Sequence, residues 1–190
     1  MAESPSAPSI ARVRIGEAPS LARIDLVSSA RRVAALGAAF AAATGVALPC
    51  TGRSVRAGEF TVLALAPDRW QIESEGPPGH AIAALGAIAG ESGSVVDQSD
   101  GSRAFDVAGP GAREVLAKGV PIDLDAAVFR VGDVARTGVA LVAVTLRCLS
   151  AEPSFRIVVA RSYAESFLEW LLDAGAAYGV LRERHSASPR

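Results

Sequence analysis

Twice along this chain, and in the same order, apolar residues alternating with polar ones give way to apolar residues spaced at three and four. This echo limits the fold more than any other feature, because period two marks a strand with one buried face and the longer spacing marks a helix packed along one stripe. In the first half, Ala22, Ile24 and Leu26 alternate with Arg23 and Asp25. Phe60 to Leu65 and Trp70 to Ile72 form two strands around a Pro67-Asp68 turn. A small-residue helix over 80–89 follows, with Ile82, Leu85 and Ile88 on one side. In the second half, Val95-Val96 and Ser102 to Val107 flank Asp100-Gly101, a two-residue hairpin signal. Gly109 stops that strand, Pro110 takes a first helical position, and Gly119 closes the short helix. Val142, Val144 and Leu146 share a strand face, Ala151-Glu152-Pro153 turns, and Phe155 to Val159 returns. Ser162 and Glu165 have capping-box spacing before the strongest amphipathic helix, with Phe167, Leu168, Leu171, Leu172 and Gly175 on its stripe.

A further helix in the first half, capped by Ser28 or Ser29, ends near Gly45 and packs through Val33, Leu36, Gly37 and Phe40. The expected architecture is α+β, with mostly antiparallel sheets, helices on one face, and two similar βαβ-type halves. Those halves are residues 21–92 and 93–179 of a single domain. Residues 1–20, rich in Ser, Pro and Ala, read as a flexible N-terminal arm, and 180–190 as a polar tail that frays.

The net charge of -1 gives no basic field for nucleic acid. Val33 to Gly52 carries no charge, but the run is mostly alanine and holds few of the large residues that favour insertion, so it reads as a packed helix and not a membrane span. No early positive cluster with an apolar core marks a signal peptide. Cys50 and Cys148 could pair, but two buried free thiols in a reducing cytosol is the commoner reading.

The search for chemistry assigns no catalytic, cofactor-binding or metal residue. His80 and His185 lie in no metal motif, and neither Gly-x-Ser-x-Gly nor Cys-x-x-Cys occurs. Gly109-Pro110-Gly111 has the look of a phosphate cradle, but Pro110 removes a donor, and a strand stop with a helix start is the better reading. Asp97, Asp100 and Asp106 are spread by the hairpin and read as a turn residue and solvated strand edges. Arg103, beside Phe105, could pair with Asp97 or bind an anion, and an ion pair or a subunit contact is the better reading. Trp70 and Trp170 read as core or as interface anchors.

One ordered set of segments resembles a known family. It comprises Asp97-x-Ser99-x-Gly101-Ser102-Arg103, then Gly109-Pro110-x-Ala112-Arg113-x-x-Leu116-Ala117-Lys118-Gly119 and Pro121-Ile122-Asp123-Leu124. Arg136-Thr137, Arg161-Ser162-Tyr163-Ala164 and Glu169-Trp170-Leu171-Leu172-Asp173-Ala174 continue it, with Leu48-Pro49 and Leu65-Ala66-Pro67-Asp68-x-Trp70 upstream. Together they resemble the gamma subunit of heterotetrameric bacterial sarcosine oxidase, whose fold is similar to the amino-terminal part of the glycine-cleavage aminomethyltransferase, a folate enzyme. The resemblance implies an aminomethyltransferase/folate-binding-like fold and a cytoplasmic assembly with alpha, beta and delta subunits. It also implies that FMN, FAD, NAD, zinc and tetrahydrofolate sit in those partners and not in this chain. In the folate transferases, the strand matching Arg136-Thr137 is followed by an essential carboxylate that holds the pterin. Thr137 to Ala151 contains no Asp or Glu here, and Glu152 comes late, in a turn. The expected role is therefore a noncatalytic subunit. The competing expectation, a free-standing folate-dependent aminomethyltransferase, lacks that acid.

Overall fold

The period-two segments become strands in two separate sheets. The computed structural model describes residues 12–29 and 31–183. Its elements are β1 Val13–Glu17, β2 Ala22–Ser28, α1 Val33–Thr44, β3 Ser54–Ala57, β4 Phe60–Ala66, β5 Arg69–Ser74, α2 Pro78–Ala89 and β6 Gly93–Asp97. They continue as β7 Ser102–Ala108, α3 Ala112–Ala117, β8 Val134–Val139, β9 Val142–Ser150, β10 Ser154–Ala160, α4 Ala164–Gly175 and β11 Val180–Glu183. The chain divides into two units. One is Ser20–Ser102 with Gly132–Ala135, and the other holds the chain up to Pro19, Arg103–Val131 and everything from Arg136.

The first unit carries a five-stranded sheet in the order β3-β4-β5-β2-β6, with every adjacent pair antiparallel. Its register sets Ile24 opposite Ile72, Leu26 opposite Trp70, and Ile72 opposite Val62, so these side chains share a face. Leu36 and Phe40 of α1 and Ala81, Leu85 and Ala89 of α2 complete that core. Val33, expected in the packing stripe of α1, is exposed. Ser28 is the last residue of β2, and α1 starts after Arg32 without a side-chain cap, so neither expected serine caps it. Gly45, at φ +73°, ends it as expected, its N–H donating to Ala41 O. The 12-residue α1 stops at Gly45, short of the end of the uncharged run, and no helix among the described residues is long and apolar enough to cross a membrane.

The second unit carries a six-stranded sheet in the order β11-β1-β7-β10-β9-β8. β1 runs antiparallel to β7 and parallel to β11. Val13 and Ile15 are fully buried, so the supposed N-terminal arm is ordered sheet over its described part; residues 1–11 lie outside the described residues. The polar tail is corrected in the same way: Val180–Glu183 is β11, while His185 lies outside the described residues. β6 and β7 do not form the expected hairpin. Ser99–Gly101 makes one 3-10 turn, β6 pairs with β2, and β7 enters the other sheet. The boundary between units therefore falls at Ser102 and not after residue 92, and a short return over 132–135 joins the first unit. Within the second sheet, Arg156 donates from Nε and Nη2 to the two carboxylate oxygens of Asp106, both at 2.8 Å. Asp106 is therefore a bidentate partner and not a solvated edge.

Candidate functional site

The second unit holds a cleft of about 510 Å³ where the end of β1, the start of β7 and the entry to α4 meet. β1 delivers Glu17, which pairs in register with Phe105 of β7. Two residues before Phe105, Arg103 approaches Glu17 Oε1 at 3.3 Å, so its ion-pair partner is Glu17 and not Asp97. Phe105 is buried, its ring 5.9 Å from that of Phe167 on α4. Arg103 and Phe105 share a strand face, and Arg103 is exposed because it lies at the start of β7 while Phe105 lies deeper along it. From the other side come Arg161 and Ser162 of a 3-10 turn, then Ala164, Glu165 and Leu168 of α4. That turn displaces the helix start to Ala164, so the expected Ser162–Glu165 capping box does not form. Instead Ser166 Oγ donates to Tyr163 O at 3.1 Å.

Arg161 is exposed and has no ion-pair partner among the described residues. It lies just before α4, where the positive end of the helix dipole disfavours a cation. Glu165, in the first turn, is the charge the dipole favours. Tyr163, two residues after Arg161, is exposed and does not line the cleft. The cleft sets Arg103 and Arg161 against Glu17 and Glu165 around Phe105, Ala164 and Leu168.

The stretch from Thr137 to Ala151, which holds no Asp or Glu, forms the β8–β9 hairpin. Ala140 and Leu141 form its tip, at φ +48° and +70°. Val139, Val144, Leu146 and Cys148 are buried along it, and Leu141 is fully exposed at 104%. Ala140 N–H donates to Gly119 O at 3.2 Å. Gly119 in turn lies under the Trp170 ring, and a Cβ there would stand 2.5 Å from Trp170 Cζ2.

The other residues singled out in the sequence do not converge. Gly109 donates to Pro153 O at 2.8 Å and Gly111 to Arg12 O at 3.1 Å, so these N–H groups serve the fold and not a phosphate. Gly109 sits at φ +110°, a conformation L side chains rarely adopt. Pro110 precedes the start of α3 by two residues, with Gly111 at the N-cap, so it is not the first helical residue. Asp97 accepts from Ser99 N–H at 2.9 Å and Ser99 Oγ at 2.6 Å. These two bonds lower its pKa from the ordinary 3.8, the hydroxyl contributing most. His80 Nε2 stands 3.3 Å from Glu59 on the surface. Both cysteines are free, but Cys50 is exposed where two buried thiols were expected. Trp70 is core, donating from Nε1 to Pro49 O at 3.1 Å; Trp170 is half-buried, 5.8 Å from Phe167. Among the described residues, no three His, Cys, Asp or Glu side chains are placed to hold a metal.

Sequence reading missed Glu17, because it was placed in the arm. The signal was there: Val13 and Ile15 alternate with Arg14 and Gly16 directly before it.

Residues 29–177 match the model of the sarcosine oxidase, gamma subunit family. The chain is 37% identical over 146 residues to the sarcosine oxidase subunit gamma of Corynebacterium sp. (strain U-96), covering 75% of this chain and 70% of that one. It is also 37% identical over 142 residues to the subunit gamma of Arthrobacter sp., covering 72% and 68%. Among solved structures it superposes on a chain of the heterotetrameric sarcosine oxidase from Corynebacterium sp. U-96, with a TM-score of 0.79 and 31% identity over 92% of this chain and 90% of that one. The aminomethyltransferase T of the Bartonella henselae glycine cleavage system shares the fold alone, with a TM-score of 0.66 and 18% identity over 90% of this chain and 48% of that one. The family-model match over residues 29–177 and the gamma subunits 37% identical to it make this protein a member of the sarcosine oxidase gamma subunit family.

Proposed function

We propose that the chain works as a noncatalytic gamma subunit in a cytoplasmic oxidase assembled with alpha, beta and delta subunits. That assembly demethylates sarcosine to glycine, reduces oxygen to hydrogen peroxide and passes the one-carbon unit to tetrahydrofolate. FMN, FAD, NAD, zinc and tetrahydrofolate are held by the partner subunits. The observation that carries this reading is the β8–β9 hairpin. Where the folate transferases need a carboxylate, this chain carries Val139, Val142, Val144 and Leu146, and no acid from Thr137 to Ala151. Hydrocarbon offers a pterin's polar edge no partner, and each buried unpaired group costs about 1–3 kcal/mol.

Co-expression with the other subunits and affinity purification tests the assembly role, with recovery of a stoichiometric complex expected. Calorimetric titration of the isolated chain with tetrahydrofolate tests the second half, with no saturable heat expected. A chain that binds tetrahydrofolate by itself, or turns over a one-carbon donor, overturns the proposal.

A further inference from the structure

We propose that Gly132–Ala135 is a clasp on the end of β3, and that it opens when Phe129, its anchor in the second unit, is loosened. The segment belongs to the first unit, but the chain on either side of it belongs to the second.

A strand at the edge of a sheet leaves backbone N–H and C=O groups without a ladder partner. β3 is such an edge, and its start is met by a segment from far along the sequence. Ser54 N–H donates to Gly132 O at 2.7 Å, and Ser54 Oγ donates to the same oxygen at 2.9 Å. Val134 N–H donates to Gly52 O at 2.8 Å. Between these bonds Arg53 and Asp133 stand opposite each other as one antiparallel bridge, and the Arg53 guanidinium donates to the Asp133 carboxylate. Within Gly132–Ala135 only Val134 is buried. The clasp is therefore held by hydrogen bonds and an ion pair more than by apolar burial. Contacts of that kind open locally, without unfolding of the core beside them.

Both ends of the strap are rooted in the second unit. Phe129, three residues before Gly132, is buried there, its ring 6.4 Å from that of Phe155. On the other side the chain runs on as β8 into the six-stranded sheet. Arg130 and Val131 alone separate the Phe129 ring from the strap, so little chain absorbs a displacement of that ring. Loosening Phe129 shifts the clasp toward its open state and hands Ser54 N–H and Gly52 C=O to water. The clasp is thus a two-state element that packing in the second unit biases.

Native-state hydrogen exchange on the full chain, read residue by residue, tests the clasp. The Ser54 and Val134 amides report on it, and Ile24 and Ile72, opposite each other in the centre of the same sheet, report on the unit as a whole. In wild type the two clasp amides should exchange faster than the central pair and with little dependence on denaturant, the mark of a local opening. Arg53→Ala removes one charge-assisted hydrogen bond and should speed both clasp amides by about tenfold. Phe129→Leu, a mild cut that keeps an apolar side chain, should speed the same two amides although it lies in the other unit. Leu171→Val, a cut to a fully buried residue of α4 in that same unit, should leave them at their wild-type rates. Clasp amides that exchange in step with Ile24 and Ile72 in wild type overturn the proposal, because no separate open state then exists. Rates unmoved by Arg53→Ala, or unmoved by Phe129→Leu, overturn it as well. So does an equal response to Phe129→Leu and Leu171→Val, which means that Phe129 has no particular hold on the strap.

Discussion

Replacing Leu141 by glycine should make the protein more stable. Leu141 occupies the second tip position of the β8–β9 hairpin at φ +70°, beside Ala140 at +48°. Tight hairpin turns need such angles, and Asn-Gly is the pair that adopts them with least strain. A left-handed conformation costs an L residue about 1–2 kcal/mol, because Cβ crowds the following carbonyl oxygen. Glycine removes that cost and adds back about 0.5–1 kcal/mol of unfolded-chain entropy. The leucine side chain is fully exposed, so no burial is lost. The balance is a gain of about 0.5–1 kcal/mol, worth a Tm increase of a few degrees at most in a chain of this size, at about 2–4 °C per kcal/mol. Thermal and urea melts of the isolated chain measure it. Leu141→Ala keeps the backbone cost and should stay within about 0.5 kcal/mol of wild type. A Gly variant less stable than wild type, or an Ala variant that falls with it, refutes the reasoning, because it means the side chain makes stabilising contacts.

Gly119→Ala should destabilise by about 1–3 kcal/mol, because the new methyl stands 2.5 and 2.8 Å from Trp170 ring carbons. Urea denaturation reads the loss, and Trp170→Leu in the same chain should recover part of it; full stability in the single variant refutes the close approach. Asp97→Asn tests the turn between β6 and β7. The folded pKa of Asp97 lies below the ordinary 3.8, so its contribution is present above about pH 4 and fades as pH falls through the lower folded value. The stability gap between wild type and variant should therefore be widest near neutrality and close in acid; a gap that does not change with pH means that the two Ser99 bonds do not depend on the charge.

Much of the fold was legible from spacing. Ile24 and Leu26 in β2, Val144 and Leu146 in β9, and Phe167 and Leu171 in α4 are all buried, as their periodicity requires. Partner choice was not legible. Asp100-Gly101 has the local chemistry of a hairpin, but whether β7 returns to β6 or joins another sheet depends on residues far away in sequence. β1 failed for the same reason: in a run rich in Ser, Pro and Ala, the alternation of Val13 and Ile15 gains meaning only when β7 and β11 flank it. The capping box fitted the sequence but not the geometry, since a 3-10 turn moved the helix start. The cleft was half visible. Arg103 and Arg161 lie in stretches that carry the family resemblance, whereas Glu17 and Leu168 join them only through strand register and helix placement.

The pairing of β1 with β11 also bears on how the protein is made. The five-stranded sheet needs only residues between Ala22 and Asp97, so its strands are all present early in synthesis. β1 leaves the ribosome before any of them, yet its outer neighbour is the last strand of the described chain. An unpaired strand edge is a template for intermolecular pairing. The nascent polypeptide therefore carries β1 without this outer neighbour until Val180–Glu183 has been made. A message truncated before Val180 should yield aggregates rather than a shortened, well-behaved protein.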